Sequence, residues 1–522
     1  MKEKYILAHD MGTSSNKAVL VRLDTTIVGQ ATAEYRVHYP KKGYAEQSPL
    51  DWWNAIVTTT RTLLQSTRVK PLNIAGLAFS TQMAGTLPIN DEGEPLMPCM
   101  IWLDTRAAEQ AEKICKGLIK VAGYNVFTLL KFLRITGGMP GHAGKDAICK
   151  ILWVKENKPD IYSKTFKFLD CKDYLLYKCT GNFVTSRDCA NISWMMDTRK
   201  GRLCWSDSIL KKYGIDKEKL PEVKKSTELA GKLTTEASKE LGLNAGLPVV
   251  VGAGDMASAA IGSGAVLENQ IHAYVGTSSW LACHIPERKK DVAHYIGSIC
   301  SANPDMYLCI AEQETAGACL EWVKNNMFKE SSEDVYRMFD NMAVDAEPGS
   351  GGLIFTPWLF GERAPLDDPT VRGGFHNLSL EHSSGHLIRA VLEGVALNMK
   401  WALGHLEKLA KRAEFINIIG GGAFSKVWCQ IFADVLNRRI RQVHDPKEAG
   451  AKGAAIIAMV ALGYIKGFEE TVNLIKIDDE YEPNPKNVQI YERIFDEFKN
   501  IYKNNKQIYR RLNSEKFYSS NV

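Results

Sequence analysis

Tyr5-Ile6-Leu7-Ala8-His9-Asp10-Met11-Gly12-Thr13-Ser14-Ser15-Asn16-Lys17-Ala18-Val19-Leu20-Val21 decides the architecture. Tyr5 to Ala8 is apolar, Asp10 to Ser15 carries turn chemistry, and Lys17 to Val21 is apolar again. The stretch therefore predicts strand, tight turn, strand. Downstream, Ser48-Pro49-Leu50-Asp51-Trp52-Trp53 offers an N-cap, a proline at the first helical position and an acid in the first turn. That predicts a helix from Ser48 to about Leu64. Ile74 to Ser80 then predicts a buried strand. Strands and helices go on alternating, which is the pattern of an α/β protein.

Near residue 247 the pattern restarts. Leu247 to Val251 predicts a strand that runs into Gly252-Ala253-Gly254-Asp255, with a helix over Met256 to Ile261. Ala273-Tyr274-Val275 then delivers Gly276-Thr277-Ser278-Ser279. Each half thus presents a Gly-Thr-Ser turn at the end of a strand, and two related halves facing one cleft is the simplest geometry. Phe415 to Ile419 predicts a further strand, Gly420-Gly421-Gly422 a turn and Val427 to Leu436 a helix. Tyr491, Ile494, Phe495, Phe498, Ile501 and Tyr502 keep helical spacing on a charged segment, predicting a packed amphipathic helix. The expected division is residues 1–246, 247–480 and a helical extension over 481–522.

A chain of 522 residues exceeds one ordinary core, and its 45% apolar and 24% charged content is that of a soluble globular protein. The net charge of +5 is small beside 65 basic and 60 acidic residues, and the basic ones are scattered, so nucleic acid is not expected as a partner. The first residues read as a strand rather than a signal peptide. The apolar run Ala454 to Tyr464 falls short of the ~20 residues that span a bilayer, so no membrane partner is expected. Twelve cysteines lie singly between Cys99 and Cys429 without a CxxC pair, which fits reduced thiols and a cytoplasmic location.

Three segments could carry chemistry. In the first turn, Gly12 lets the backbone approach a ligand, and Thr13 and Ser14 add hydroxyls to a cradle for phosphate oxygens. Lys17 could add charge there, and Asp10 could hold a hydrated magnesium ion. An ordinary hairpin with an Asx-turn is the alternative. Gly252 to Ala257 matches the GxGxxA dinucleotide pattern between a strand and a helix. The next strand, however, ends in Gly276-Thr277-Ser278 instead of the acid a ribose requires. Asp255, at a strand's carboxyl end, is placed for a general base, and a helix N-cap is its other possible role. Gly420 to Lys426 lacks Walker A spacing; it reads equally as a flat platform for a nucleoside and as a tight turn.

Together these segments resemble the FGGY carbohydrate kinases, the xylulokinases most of all. The match runs in order over nearly the whole chain: Asp10-Met11-Gly12-Thr13-Ser14, Tyr44-Ala45-Glu46-Gln47-Ser48-Pro49, Gln82-Met83-Ala84-Gly85, Ile101-Trp102-Leu103-Asp104-Thr105-Arg106 and Lys150-Ile151-Leu152-Trp153. It continues through Gly254-Asp255, Gly276-Thr277-Ser278, Gly361-Glu362-Arg363-Ala364-Pro365, Ala390-Val391-Leu392-Glu393-Gly394 and Gly420-Gly421-Gly422-Ala423. The resemblance implies two ribonuclease-H-like domains of the actin/Hsp70 kind around a central cleft, where ATP, Mg2+ and a small sugar or polyol meet. It implies Asp255 as the catalytic base and Asp10 in phosphate handling, with magnesium held by both through water. Thr13, Ser14, Gly276 and Thr277 would hold ATP phosphates, and Gly317, Gly421, Gly422 and Lys426 would line the nucleoside pocket. Met83, Ala84, Asp255 and Met256 fall where xylulokinases contact the sugar.

Two of those four depart from the pattern. Xylulokinases usually carry His and Asn where this chain has Ala84 and Met256, and Ala147 replaces a small polar residue of a family signature. Losing hydrogen-bonding groups should relax or redirect sugar specificity. The expected activity is ATP-dependent phosphorylation of a sugar or polyol hydroxyl. A kinase of another ketose, polyol or sugar acid, a sugar-sensing pseudokinase, an ATPase switch and a GxGxxA dehydrogenase are the alternatives. A homodimer stays open.

Overall fold

The chain opens with β1 (Tyr5–Met11), antiparallel to β2 (Ser15–Arg22), which pairs in turn with β3 (Ile27–Glu34). The computed structural model describes residues 3–121, 123–328 and 334–513. Helix α1 (Pro49–Thr67) starts where the sequence places it, with Ser48 at the N-cap, Pro49 in the first turn and Asp51 beside it. β4 (Ile74–Thr81) then joins β1 in parallel. A long excursion of helices and short strand pairs follows before the chain returns to the same sheet. It returns with β5 (Leu229–Lys232), β6 (Pro248–Val250) and the two-residue β7 (Ala253–Gly254). The first sheet runs β5-β6-β4-β1-β2-β3, with β7 also on β4. β1 is apolar on both faces because both are covered, which is why it reads as a continuous hydrophobic run.

The expected boundary at 246/247 is displaced. β6 and β7 pair with β4 of the first sheet, so the first lobe continues into α2 (Asp255–Gly262). The restart visible in the sequence is this lobe's last strand, not the first strand of the next lobe.

The second sheet is built from β8 (Ile271–Val275), β9 (Ser279–Ile285), β10 (Ile296–Cys300) and β11 (Tyr307–Gln313). After α3 (Gly317–Val323) and the long α4 (Ser384–Leu409) come β12 (Phe415–Ile419), α5 (Lys426–Leu436) and β13 (Arg439–Val443). Helix α6 (Ala449–Ala461) and β14 (Ile477–Tyr481) complete the lobe. Its order is β10-β11-β9-β8-β12-β13-β14. Hairpin β8–β9 matches hairpin β1–β2, β11 matches β3, and the parallel β12 and β13 match β4 and β6. The repeated Gly-Thr-Ser turn is thus the visible trace of a duplicated sheet topology, with β10 added at one edge.

Between the sheets α2 and α6 cross with backbone on backbone. A Cβ added to Gly262 would lie 1.9 Å from the Ala449 carbonyl oxygen, and one on Gly453 would lie 1.8 Å from that of Ser258. α6, although it belongs to the second half of the chain, lies against β1 and β4 of the first sheet. A single apolar cluster accordingly joins Ile6, Ala8 and Ala78 of the first sheet to Trp280, Ala282 and Ile419 of the second.

The expected C-terminal helix is α7 (Pro485–Leu512), with Tyr491 and Phe498 buried. The Tyr491 hydroxyl donates to Glu393 at 2.6 Å, and Arg389 donates to both, so this helix is tied to α4 through a buried polar triad. Among the described residues no helix is long and apolar enough to cross a membrane.

Candidate active site

The turn between β1 and β2 closes with Gly12 N donating to the Ser15 carbonyl at 2.9 Å. Segments that the sequence groups with this turn hold it from behind. Trp102 Nε1 donates to Thr13 Oγ1 at 2.9 Å, and Gln47 Nε2 donates to the Thr13 carbonyl at 2.6 Å. Gln82 Nε2 then donates to Gln47 Oε1 at 2.7 Å, carrying the network to the neighbour of Met83. Ser14 is exposed and Lys17 sits opposite Asp10 in the register.

Asp10 and Asp255 come off strands on either side of β4. In the parallel register Asp10 faces Ser80, and β7 places Gly254 beside Thr81, so both carboxylates emerge at the same end of the sheet. Ser80 Oγ donates to Asp10 Oδ1 at 2.7 Å. Burial pushes the Asp10 carboxyl up, against the Ser80 hydrogen bond and the Lys17 charge. Asp255 is pushed up to about 7, first by burial and then by the Asp10 charge, while the Met256 amide at 2.8 Å pulls the other way. A carboxylate poised near neutrality beside a second acid is chemically able to accept a proton near pH 7.

The backbone ahead of Asp255 is rigidly specified. Gly252 sits at φ +67, where a Cβ would lie 2.2 Å from the Phe79 carbonyl oxygen. Gly254 N donates to the buried Asp188 at 2.6 Å. Met83 packs on Gly254, since a Cβ there would fall 2.2 Å from Met83 Sδ. Met83 therefore lies against the residue that precedes Asp255. Ala84 follows at φ +62, its carbonyl held at 2.8 Å by the buried Lys150 ammonium, which also donates to Ile101 O. Ala84 and Ala147, two of the three positions where a polar group is replaced, line one cavity of about 40 Å³ with Asp170 and Asp173.

In the second lobe, Gly276 N donates to Ser278 O at 2.9 Å, closing the β8–β9 turn. The first amides of α3 grip it: Ala316 N and Ala318 N donate to Thr277 O at 2.9 and 3.1 Å, and Gly317 N to Gly276 O at 2.8 Å. A Cβ on Gly317 would lie 2.6 Å from Gly276 O. Gly317 is thus seated directly against the Gly276–Ser278 turn. In the glycine triplet, Gly420 at φ +90 and Gly422 are required by packing, because their Cβ atoms would strike Val275 at 2.5 Å each. Gly421 alone faces open space. The exposed Lys426 ammonium pairs with Asp479 at 3.0 Å.

Several residues that the sequence did not single out belong to the site. Tyr274 is stacked on Trp280 at 3.8 Å, and burial first, then the charges of Asp10 and Asp255, push its hydroxyl up to about 12. That coupling puts the base of the second turn within electrostatic reach of both carboxylates. Arg363 of the Gly-Glu-Arg-Ala-Pro segment bridges Glu312 and Glu314, and Glu312 in turn acts on Asp255. Gly450, second residue of α6, brings helix backbone against the Asp10 carboxylate: its Cβ would lie 2.6 Å from Oδ2. The small residues of Glu448-Ala449-Gly450-Ala451 were the available signal for this approach.

Comparison with known proteins agrees with this geometry. A model of the FGGY family of carbohydrate kinases, N-terminal domain, matches residues 5–262, and one of its C-terminal domain matches residues 272–462. A xylulose kinase of Staphylococcus epidermidis is 30% identical over 512 residues, covering 97% of this chain and 98% of the relative. The ligand-bound xylulose kinase of Lactobacillus acidophilus superposes with a TM-score of 0.87 at 28% identity, over 98% of this chain and 100% of the other. The gluconate kinase of the same organism gives 0.86 at 28% identity, over 97% and 98%. With both sheets, both turns and both family domains in place, the chain belongs to the FGGY family of carbohydrate kinases, enzymes that phosphorylate sugars at the expense of ATP.

Proposed function

We propose that the protein transfers the γ-phosphoryl group of ATP directly to a hydroxyl of a small sugar, polyol or sugar acid, with Asp255 as general base. The observation that carries this reading is the pair Asp10 and Asp255 at one sheet end, with Asp255 pushed up to about 7 and its neighbour Gly254 packed against Met83. Asp255 takes the proton of the attacking hydroxyl, a step worth ~10² to 10⁴ in rate. The turns at Gly12–Ser14 and Gly276–Ser278 hold the phosphate oxygens, where backbone amides and hydroxyls counter the developing charge. Gly421, with open space above it, receives the nucleoside.

Two half-buried acids at one sheet end, with the Asp10 charge raising the proton affinity of Asp255, are also a fitting seat for a hydrated divalent cation. Mg2+ held there by Asp10 and Asp255 would offset charge on the transferred group. Closure of the lobes would exclude water as a competing acceptor.

The acceptor is set by Met83, Ala84 and Met256. Similar chains carry the names xylulose kinase and gluconate kinase at like identity, so the names alone leave the acceptor undecided. Ala84 and Met256 lack the hydrogen-bonding groups a xylulokinase presents, and D-xylulose is accordingly a poor substrate. An ADP-release screen across ketopentoses, ketohexoses, pentitols, tetritols, glycerol and gluconate identifies the acceptor. Acceptor-independent ADP formation, or none with any of them, would count against the proposal.

A further inference from the structure

Away from the cleft, a tight loop between β9 and β10 brings three metal-ligating side chains together. Asp291 and His294 belong to this loop, and His405 projects from α4. A ligand atom from each lies within 4.8 Å of the others. His294 Nδ1 is 2.6 Å and His405 Nδ1 is 3.7 Å from Asp291 Oδ2. The two imidazole rings stack with centroids 3.5 Å apart. His405 Nδ1 is enclosed yet makes no hydrogen bond. An orphaned ring nitrogen aimed at a carboxylate is a cost unless something else occupies the point between them.

We propose that Asp291, His294 and His405 form a binding site for a divalent transition-metal ion of the Zn2+, Co2+ or Ni2+ class, distinct from any magnesium in the cleft.

Two imidazoles and one carboxylate select borderline transition ions over Mg2+ and Ca2+, which prefer all-oxygen shells. Tetrahedral coordination with metal–ligand bonds of ~2.0–2.2 Å sets ligand separations at ~3.3–3.5 Å. The Asp291–His294 pair must therefore open, and the Asp291–His405 pair close, by less than ~1 Å. The frame is already fixed. Asp291 exchanges both backbone hydrogen bonds with Ile296, at 2.8 and 3.0 Å, and His405 rides on a 26-residue helix. Asp291 and His294 keep 22% and 35% side-chain exposure, so an ion can enter and a water can fill the fourth position.

The position gives the site a consequence. Arg288, three residues before Asp291, donates to Ile135 O, Arg134 O and Thr198 Oγ1 at 3.2, 2.9 and 2.6 Å, all in the first half of the chain. Lys289 Nζ meanwhile holds Leu409 O, at the end of α4, at 2.7 Å. An ion would clip to α4 the same loop that grips the excursion of the first lobe. The Gly276 turn lies at the opposite end of β9, ~20 Å away along a strand of seven residues, so the site stands apart from phosphoryl transfer.

The test uses full-length protein stripped with chelator, without nucleotide, titrated with Zn2+ by calorimetry and with Co2+ by visible absorption. One Zn2+ equivalent is expected, weakened at least tenfold in Asp291→Asn and in His405→Gln. The Co2+ complex should show d–d bands without a thiolate charge-transfer band. Sugar-kinase activity of both variants with MgATP should equal wild type, which also certifies that they are folded. His294→Gln serves in place of either variant that does not fold. Absence of stoichiometric binding overturns the proposal. So does binding that survives His405→Gln, or a thiolate band, because the ion would then sit on other residues.

Discussion

Replacing Asp255 by Asn should slow the enzyme and at the same time make the ligand-free protein more stable. The folded carboxyl is displaced from the ordinary 3.8 to about 7, mainly because burial and the neighbouring Asp10 penalise its charge. At ~1.4 kcal/mol for each tenfold in proton affinity, that displacement sets a ceiling of ~4 kcal/mol on the destabilisation an ionised Asp255 imposes. The residue is only partly enclosed, so solvent reduces the figure to roughly half, ~2 kcal/mol. Asn keeps an acceptor for the Met256 amide and carries no charge. The sign follows from linkage. Between about pH 4 and pH 7 the folded state holds a proton that the unfolded chain has already lost, so this group's contribution to stability falls as pH rises through that window. The melting-temperature gain of Asp255→Asn should therefore be negligible near pH 4 and full at pH 8, where ~2 kcal/mol corresponds to roughly 2–4 °C for a chain of this size. In the same preparation kcat should fall by ~10² to 10⁴. Scanning calorimetry at the two pH values and a coupled ADP assay make the measurement. A mutant that turns over normally assigns the base elsewhere. One less stable than wild type at pH 8 shows that the carboxylate is welcomed by its surroundings and refutes the electrostatic account.

Three further perturbations probe the rest of the site. Gly12→Val should fold normally, because its nearest non-adjacent neighbour is Ser15 O at 3.5 Å from the new Cβ, yet raise the KM for ATP about tenfold by crowding the phosphate turn; ordinary ATP kinetics would reduce the turn to a plain hairpin. Gly317→Ala places a methyl 2.6 Å from Gly276 O and should displace the second turn, lowering kcat/KM for ATP by roughly tenfold to a hundredfold while sugar binding is kept, as substrate titration of the nucleotide-free protein would show. The double change Ala84→His and Met256→Asn should raise kcat/KM for D-xylulose by roughly tenfold to a hundredfold, and the φ of +62 at Ala84 is one that His tolerates. Efficient use of D-xylulose by the unmutated enzyme would sink that last idea.

The sequence made the local devices of the fold legible and left the pairings between distant segments hidden. Ser48-Pro49 announced α1, and the two Gly-Thr-Ser turns announced the hairpins, because capping and turn chemistry are local. The strand at Pro248–Val250 was assigned to the wrong lobe because its partner, β4, lies some 170 residues earlier, and apolar residues do not name their partners. The glycine triplet reads equally as a nucleoside platform and as a tight turn; only the geometry shows Gly420 and Gly422 against Val275 and Gly421 facing open space. Tyr274 went unnoticed because an aromatic in a strand looks like core. Asp188 carries no sequence signal, and only the structure places it on the amide of Gly254, one residue before Asp255.

The crossing of α2 and α6 at Gly262 and Gly453 bears on how this enzyme could adapt to temperature. Helices that meet through interlocked side chains must exchange rotamers before one slides past the other, and such exchange slows steeply on cooling. Here carbonyl oxygens rest against bare α-carbons, so a rotation of one lobe about this point requires no rotamer exchange there. A relative living in the cold could keep the joint as it is and tune only the loops around it. A methyl group at either glycine would fall 1.9 or 1.8 Å from a backbone carbonyl oxygen and force the helices apart, so the crossing has no room for any side chain.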